Sequence, residues 1–305
     1  MSDLASTHQE FNPDNLSPQK LHALLLGGVA PRPIAFASTI DKEGRVNLAP
    51  FSYFNVFSAN PPILIFSPAR RGKDNTTKHT LENVLEVPEV VINMVDYNLV
   101  HACSLASTDY AQGVNEFEKA GLTEVPSVTI TPPRVLESPV SMECKVLKVE
   151  SLGPNPGAGN LVFCEIKRMH FRNNVLGSDG LPDAVLLDLV ARCGGSYYTR
   201  ASNEALFEIP KPLASLGIGV DSIPSDIRTS SILTGKHLAM LGNVASLPDE
   251  TEVNDYKLIE LSEIFLDYAD NGVVLELELH KHALNLLDNG NVNEAWKTLL
   301  TFNLG

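Results

Sequence analysis

Segment 67–77 concentrates residue types that bind a small anion. It reads Ser67-Pro68-Ala69-Arg70-Arg71-Gly72-Lys73-Asp74-Asn75-Thr76-Thr77, within a chain whose net charge is −14. The apolar spacing that follows predicts a helix over 77–86, whose first N–H groups and dipole would favour an anion. Arginine adds bidentate hydrogen bonds and lysine adds a compact positive charge. These residues predict a phosphate site, and the alternative is a charged loop that contacts only solvent.

A second stretch has the properties of a surface for a flat heterocycle. It reads Ala49-Pro50-Phe51-Ser52 and is followed by Tyr53 and Phe54. Proline and small residues leave backbone groups accessible along one edge of the chain, and the aromatic residues would border that edge. A few placed polar groups beside apolar ring surface are typical of a small-molecule site.

These two stretches belong to a series of short elements that extends over residues 31–197. The series includes Pro31-Arg32-Pro33-Ile34-Ala35, Ser38-Thr39, Asn47-x-Ala49-Pro50-x-Ser52-x-Phe54, Lys73-Asp74-x-Thr76, Asn115-Glu116-Phe117, Ser138-Pro139-Val140, Glu143-Cys144 and Ala191-Arg192-x-Gly194-Gly195-x-Tyr197. No single piece is specific. Their order and spacing together resemble the flavin reductase-like, FMN-binding split-barrel family.

The resemblance implies a six-stranded antiparallel Greek-key split β-barrel that forms a homodimer and holds FMN near the subunit interface. By position, the residues that would contact flavin are Arg32, Ser38, Thr39, Ala49, Pro50, Phe51, Ser52, Ser67, Arg71, Lys73, Thr76 and Thr77. The chain departs from the family in its phosphate loop, where many relatives read Lys-Asp-Thr and this chain reads Lys73-Asp74-Asn75. Either Thr76 or Thr77 could supply the missing hydroxyl.

The function that the resemblance implies is an NAD(P)H-dependent flavin oxidoreductase. Hydride would pass from the nicotinamide to the flavin, and because the flavin carries this chemistry no catalytic side chain is expected. One alternative is an FMN-binding electron-transfer protein without its own nicotinamide site. Another is a scaffold whose C-terminal extension recruits a partner oxygenase. NADH or NADPH preference and the physiological electron acceptor stay open.

Apolar spacing and turn residues outline a mainly β fold with flanking helices. Strands are expected at 33–40, 62–66, 90–95, 140–152 and 161–171, and helices at 18–28, 77–86 and 99–107. The turn residues at 41–44 indicate a hairpin, and the cluster at 153–157 separates two long strands. Hairpin-linked strands with few helices favour a closed antiparallel barrel over alternating βαβ units.

The sequence pattern changes after Asn203, which predicts a split-barrel domain over 1–203 and a mostly helical extension over 204–305. Three helical faces are expected, carrying Leu258, Leu261 and Phe265, then Leu275, Leu279, Ala283 and Leu286, then Val292, Trp296 and Leu299. Segment 275–279 also alternates as a strand would. We expect Trp296 to be buried and the extension to brace the dimer, the alternative being a separately folded appendage.

Composition excludes several classes of protein. The chain has 305 residues and a hydrophobic fraction of 44%, enough for a sizeable core. Its acidic charge argues against nucleic-acid binding, and it has no apolar run of the length that spans a membrane. The N-terminus lacks the features of a signal peptide. Four cysteines without a Cys-x-x-Cys pair fit a reducing cytoplasm, and His280 and His282 lie two apart, so no metal site is expected.

Overall fold

The computed structural model describes residues 8–209 and 216–302. The chain divides into two compact units, the first ending at Phe207 and the second beginning at Glu208. This boundary lies close to Asn203, where the sequence pattern changes. No helix within the described residues combines the length and apolar character that crossing a membrane requires.

The first unit is built on a seven-stranded antiparallel sheet. Its strands are β1 (Ala35–Ile40), β2 (Val46–Phe51), β3 (Phe54–Ala59), β4 (Pro62–Phe66), β5 (Glu89–Asn93), β8 (Val140–Ser151) and β9 (Asn160–Phe171). Two separate two-stranded ladders consist of β6 (Glu124–Val125) with β7 (Arg134–Val135) and β10 (Val190–Arg192) with β11 (Tyr198–Arg200).

The strand order, β2-β1-β5-β8-β9-β4-β3, places two strands that are adjacent in sequence at opposite ends of the sheet. Only Ser52 and Tyr53 separate β2 from β3. Consecutive Cα atoms are about 3.8 Å apart, so the end of β2 and the start of β3 lie within about 11 Å of each other. A flat sheet of seven strands cannot satisfy this distance, and the sheet therefore curls strongly upon itself.

The β1–β2 hairpin shows how the sequence fixes this end of the sheet. Asp41 N–H donates to the Arg45 carbonyl at 3.2 Å and Gly44 N–H donates to the Asp41 carbonyl at 3.0 Å. Gly44 has a φ of 80°, in the left-handed region that glycine adopts without a Cβ clash. The Asp41 carboxylate also accepts from the Arg45 amide at 2.9 Å, which closes the turn.

Within the described residues of the first unit, five α-helices accompany the sheet. They are α1 (Pro18–Gly28), α2 (His79–Glu86), α3 (Val100–Leu105), α4 (Glu116–Ala120) and α5 (Ala184–Leu187). Ser17 caps the start of α1, since its Oγ accepts from Lys20 N–H at 3.3 Å. The helix includes Gly27 and Gly28, as the expected range 18–28 does, and reaches its C-cap at Val29.

Most of the expected strands are confirmed to within two residues, but the strand number differs. The sheet has seven strands where six were expected, and β3 was not foreseen as a strand. Phe54 was interpreted only as part of an aromatic border, and residues 55–59 were assigned to no element. β3 is an edge strand with Val56 and Phe57 largely exposed, so it lacks the alternation that marks a half-buried strand.

The core of the first unit has two parts on either side of the sheet. One contains Phe66, Ile92 and the two strand cysteines Cys144 and Cys164. Burial raises the pKa of Cys144 to about 12, so this thiol behaves as a small apolar side chain. The other part is centred on Phe36 and lies beneath α3 and α4.

The second unit is helical throughout its longer elements. These are α6 (Ser225–Arg228), α7 (Gly235–Gly242), α8 (Glu250–Glu260), α9 (Ser262–Tyr268), α10 (Gly272–Asp288) and α11 (Val292–Leu300). Trp296 is fully buried, as expected, and its Nε1–H donates to the Leu241 carbonyl at 3.0 Å. Around it pack side chains from α7, α10 and α11, so this unit has a hydrophobic core of its own.

Two of the helical faces expected in the second unit have different outcomes. The first expected face is wrong at Leu258, which is 73% exposed, because the helix ends at Glu260 and a new one begins at Ser262. Of the two interpretations of 275–279, the helix is confirmed. Leu275 and Leu279 are buried within α10, at the spacing of successive helical turns.

Candidate functional site

A groove follows the outward side of β2 and consists of two adjoining cavities. The outer cavity has a volume of about 430 Å³, and the inner cavity has a volume of about 150 Å³. Their common wall is made by Pro50, Phe51, Arg71, Lys78 and Asp109. The groove therefore brings together the two stretches that the sequence singled out.

The backbone of β2 presents hydrogen-bond acceptors to this groove. In the antiparallel register Asn47, Ala49 and Phe51 lie opposite residues of β1 whose backbone groups they bond. Because hydrogen-bonded and non-hydrogen-bonded pairs alternate along the ladder, the backbone polar groups of Leu48 and Pro50 point away from β1. Leu48 N–H is already bonded to Glu116, at 2.9 Å.

Pro50 has no N–H, so at this position the edge of β2 can only accept a hydrogen bond, through the Pro50 carbonyl oxygen. A ligand that pairs with it must supply N–H or O–H donors. Phe51 fixes the same stretch from below, because its ring packs on Phe66 with centroids 5.4 Å apart.

Helix α1 forms one side of the outer cavity through His22 and Leu26. Arg32 fastens the end of this helix to the sheet, since its Nη1 donates to the Leu26 and Val29 carbonyls at 2.5 and 2.6 Å. Its Nε donates to Ser52 Oγ at 3.4 Å. Arg32 is 5% exposed, and its Nη2 is buried without a partner among the described residues.

The two arginines of loop 67–77 brace the loop itself. Arg70 Nε donates to Asn75 Oδ1 at 2.8 Å, while Arg70 N–H bonds the Ala158 carbonyl in the β8–β9 turn. The Arg71 guanidinium pairs with Asp109 at 2.9 Å and donates to Thr76 Oγ1 at 3.1 Å. Both guanidinium groups are therefore engaged within the protein.

Two lysines beside the cavities are not engaged in this way. Lys73 lines the outer cavity and Lys78 lines both. Within the described residues neither ammonium group makes a hydrogen bond or an ion pair. Burial, then the positive charge of Arg71, lowers the pKa of Lys78. A half-buried ammonium group without a partner is well placed to bind an anion.

Ser67 lies at the floor of the outer cavity and is held closely. Its N–H donates to the Tyr53 carbonyl at 2.9 Å. A Cβ on Gly159 would lie only 2.6 Å from Ser67 Oγ, so a glycine is needed for this approach of the β8–β9 turn. Ser67 is thus held between the β2–β3 connection, which its N–H bonds, and the β8–β9 turn, which its side chain approaches.

The inner cavity is lined by groups of both charges. Lys78 and His79 come from the start of α2, Asp109 from the connection between α3 and α4, and Glu116 from α4. The Arg71 side-chain hydrogen bond lowers the pKa of Asp109, whereas burial raises the pKa of Glu116. The cavity therefore contains one carboxylate paired with an arginine and one carboxyl whose pKa burial raises.

The predicted site residues separate into those that line the groove and those that do not. Lining residues are Ala49, Pro50, Phe51, Ser52, Ser67, Arg71 and Lys73. Arg32, Ser38, Thr39, Thr76 and Thr77 line neither cavity.

Intramolecular contacts account for most of the second group. Ser38 and Thr39 are fully buried in β1, and Thr39 Oγ1 accepts from Asn83 at 3.1 Å. Thr76 Oγ1 donates to Asp74 and Thr77 Oγ1 donates to Glu82. The structure therefore does not favour either threonine as the phosphate contact.

Sequence reasoning did not assign to the site the residues that α1, the start of α2, the α3–α4 connection and α4 bring to the groove. These are His22, Leu26, Lys78, His79, Asp109, Tyr110 and Glu116. Lys78 had an available signal, because it immediately precedes α2 and helix starts are anion sites. Within the described part of the chain, no group of three or more His, Cys, Asp or Glu side chains could hold a metal ion.

Comparison with solved structures gives relatives that the chain covers almost completely. Nitrilotriacetate monooxygenase component B from Bacillus cereus is 30% identical with a TM-score of 0.62, over 66% of this chain and 98% of that one. The 2-nitrobenzoate 2-nitroreductase of Pseudomonas fluorescens is 30% identical with a TM-score of 0.59, over 68% and 100%.

A protein from Shewanella frigidimarina whose structure is described as that of a flavin reductase with a split barrel domain is 24% identical with a TM-score of 0.56, over 67% of this chain and 100% of that one. At this identity the likeness shows the fold, which is that of the split barrel. The family model for the flavin reductase like domain matches residues 27–190, more than half of the chain and all within the first unit. The chain therefore belongs to the flavin reductase like domain family.

Proposed function

We propose that this protein binds FMN in the groove along β2 and reduces it with NAD(P)H. The observation that carries the proposal is that a strand edge offering a hydrogen-bond acceptor lies beside two lysines that have no ion-pair partner in the described residues. Pro50 offers a carbonyl towards the groove, and Lys73 and Lys78 lie beside it without ion-pair partners in the described residues. A ring with an N–H donor and a phosphate tail fits this arrangement.

The residues present also fit the size and polarity of a flavin. Pockets for ligands of this size span about 300–1,000 Å³, and the outer cavity alone has about 430 Å³. Arg32 lines neither cavity itself, but its guanidinium bonds Ser52 and Leu26 of the outer cavity wall and carries a buried Nη2 without a partner in the described residues. A buried donor of this kind is costly unless a ligand or water satisfies it.

The chain's own residues would bind and orient rather than transfer protons. When bound, FMN supplies the hydride-accepting chemistry of the reaction. Lys73 and Lys78 would hold the phosphate, the β2 edge would fix the ring, and Tyr53 lies exposed at the cavity wall. No side chain is assigned as an acid or base for hydride transfer.

Two further features belong to this proposal. One of the solved relatives is named as component B of a monooxygenase, which supports delivery of reduced flavin to a partner oxygenase. A homodimer built on a Greek-key split barrel would complete the cleft from a second subunit. The partner oxygenase as electron acceptor and the homodimer are both proposed from the likeness to the family.

The first test is flavin binding followed by reduction. Apoprotein titrated with FMN should turn yellow with a stoichiometry of one per chain, because the groove supplies both a ring surface and phosphate charges. Adding NADH or NADPH without air should then bleach the flavin absorption. Spectrophotometry in an anaerobic cuvette measures both steps.

The outcomes separate the competing functions. A yellow protein that neither nucleotide bleaches would favour the electron-transfer alternative. Protein that stays colourless with FMN and with FAD would contradict the proposal. A titration with FAD is the cofactor control, since tighter binding of FAD than of FMN would reassign the flavin.

A further inference from the structure

The inner cavity contains a buried acid for which hydride transfer has no use. Glu116 begins α4, lines the cavity and is only 5% exposed. Its Oε2 accepts a hydrogen bond from Leu48 N–H at 2.9 Å. This bond attaches the acid to the outward edge of β2, the same edge that faces the groove.

The surroundings of Glu116 favour its neutral form. Burial raises its pKa above the ordinary value of 4.5, while the Leu48 N–H acts in the opposite direction. The other titratable or charged groups of the cavity wall are Arg71, Lys78, His79, Asp109 and Tyr110. None of these bonds to Glu116 in the described residues, and Arg71 is paired with Asp109.

The size of the inner cavity suggests what would meet this acid. Its volume is about 150 Å³, and a cavity of roughly that size holds one six-membered ring. A ring entering from the outer cavity passes the shared wall at Pro50 and Phe51. It would remove the remaining water from the carboxyl and so disfavour the charged form further.

We propose that Glu116 binds the flavin ring as a neutral carboxyl while it holds the β2 edge through Leu48 N–H. This inference rests on the proposed function and assigns the proton state of the same site. Binding of the ring then takes up a proton whenever free Glu116 is ionised. Affinity is constant at low pH and falls by up to tenfold per pH unit once the free carboxyl ionises.

Riboflavin titrations monitored by flavin fluorescence between pH 5 and 9 test this linkage. Riboflavin replaces FMN because the second ionisation of a phosphate, near pH 6, would add its own pH dependence. Wild-type affinity should fall at least tenfold across this range. Glu116→Gln should bind with a flat profile at the strength of the low-pH wild type, since glutamine is neutral and can still accept from Leu48 N–H.

Two further variants guard the interpretation. Glu116→Asp keeps an ionisable carboxyl and should retain a pH dependence, whereas Glu118→Gln changes an exposed acid on the same helix and should follow the wild type. Equal slopes for wild type and Glu116→Gln, or a flat wild-type profile, would overturn this inference alone. A wild type that binds neither riboflavin nor FMN at any pH would overturn the proposed function together with it.

Discussion

Replacing Lys78 by alanine is expected to weaken FMN binding about ten- to a hundredfold, because a hydrogen bond to a charged group contributes about 1.5–3 kcal/mol. Lys78 is half-buried and lines both cavities without an ion-pair partner among the described residues. Riboflavin, which lacks the phosphate, should lose little affinity. Isothermal titration with the two ligands measures the difference.

Lys73 and Lys42 provide the comparison for this result. Lys73→Ala should also weaken FMN binding, but by less, since Lys73 is exposed and solvent screens its charge. Lys42→Ala removes a lysine that is 68% exposed in the β1–β2 turn and should change nothing. Equal losses for FMN and riboflavin in Lys78→Ala would show that this lysine does not contact the phosphate.

Replacing Leu287 by alanine should destabilise the second unit by about 2–5 kcal/mol, the usual cost of a cavity in a packed core. Leu287 is 1% exposed and packs in the cluster that contains Trp296. Trp296 is the only tryptophan in the chain, so its fluorescence reports unfolding of this unit. Urea titration followed at that emission gives the change in free energy.

The same titration tests whether the two units unfold separately. Each unit has its own core, so release of bound FMN, which reports on the first unit, should keep its midpoint in Leu287→Ala. Leu258→Ala is the matched control, because this leucine is 73% exposed and its loss should cost under about 0.5 kcal/mol. A shared shift of both transitions would instead support an extension that braces the first unit or its dimer.

The elements that sequence reasoning located are those with strong local signals. The β1–β2 hairpin is fixed by Asp41 and Gly44, and the long strands β8 and β9 are separated by a dense turn cluster. Edge strand β3 was not predicted because both of its faces are partly exposed, which removes the alternation of apolar and polar residues that marks a strand. In the second unit, the break after Glu260 was hidden because apolar residues happen to keep a helical spacing across it.

The site was predicted best where one chain segment supplies it. Loop 67–77 and the β2 edge were found because their residues are contiguous. Sequence reasoning could not foresee that Asp109, distant in the chain, would pair with Arg71, while Lys73 and Lys78 have no ion-pair partner among the described residues. It also could not show that Ser38 lies in a strand paired on both sides, where a hydroxyl is buried.

The edge of β2 has a consequence for how copies of this chain meet. An exposed edge strand can add a strand from another molecule and so begin aggregation. Here Leu48 N–H is already occupied by Glu116 and Pro50 has no N–H to donate, so an incoming strand finds no donor at either position. At the opposite edge, β3 carries a bulge between Val56 and Ser58, which disrupts a regular ladder. Two features that shape the groove, the Leu48–Glu116 bond and Pro50, thus also remove two donors that an added strand would need.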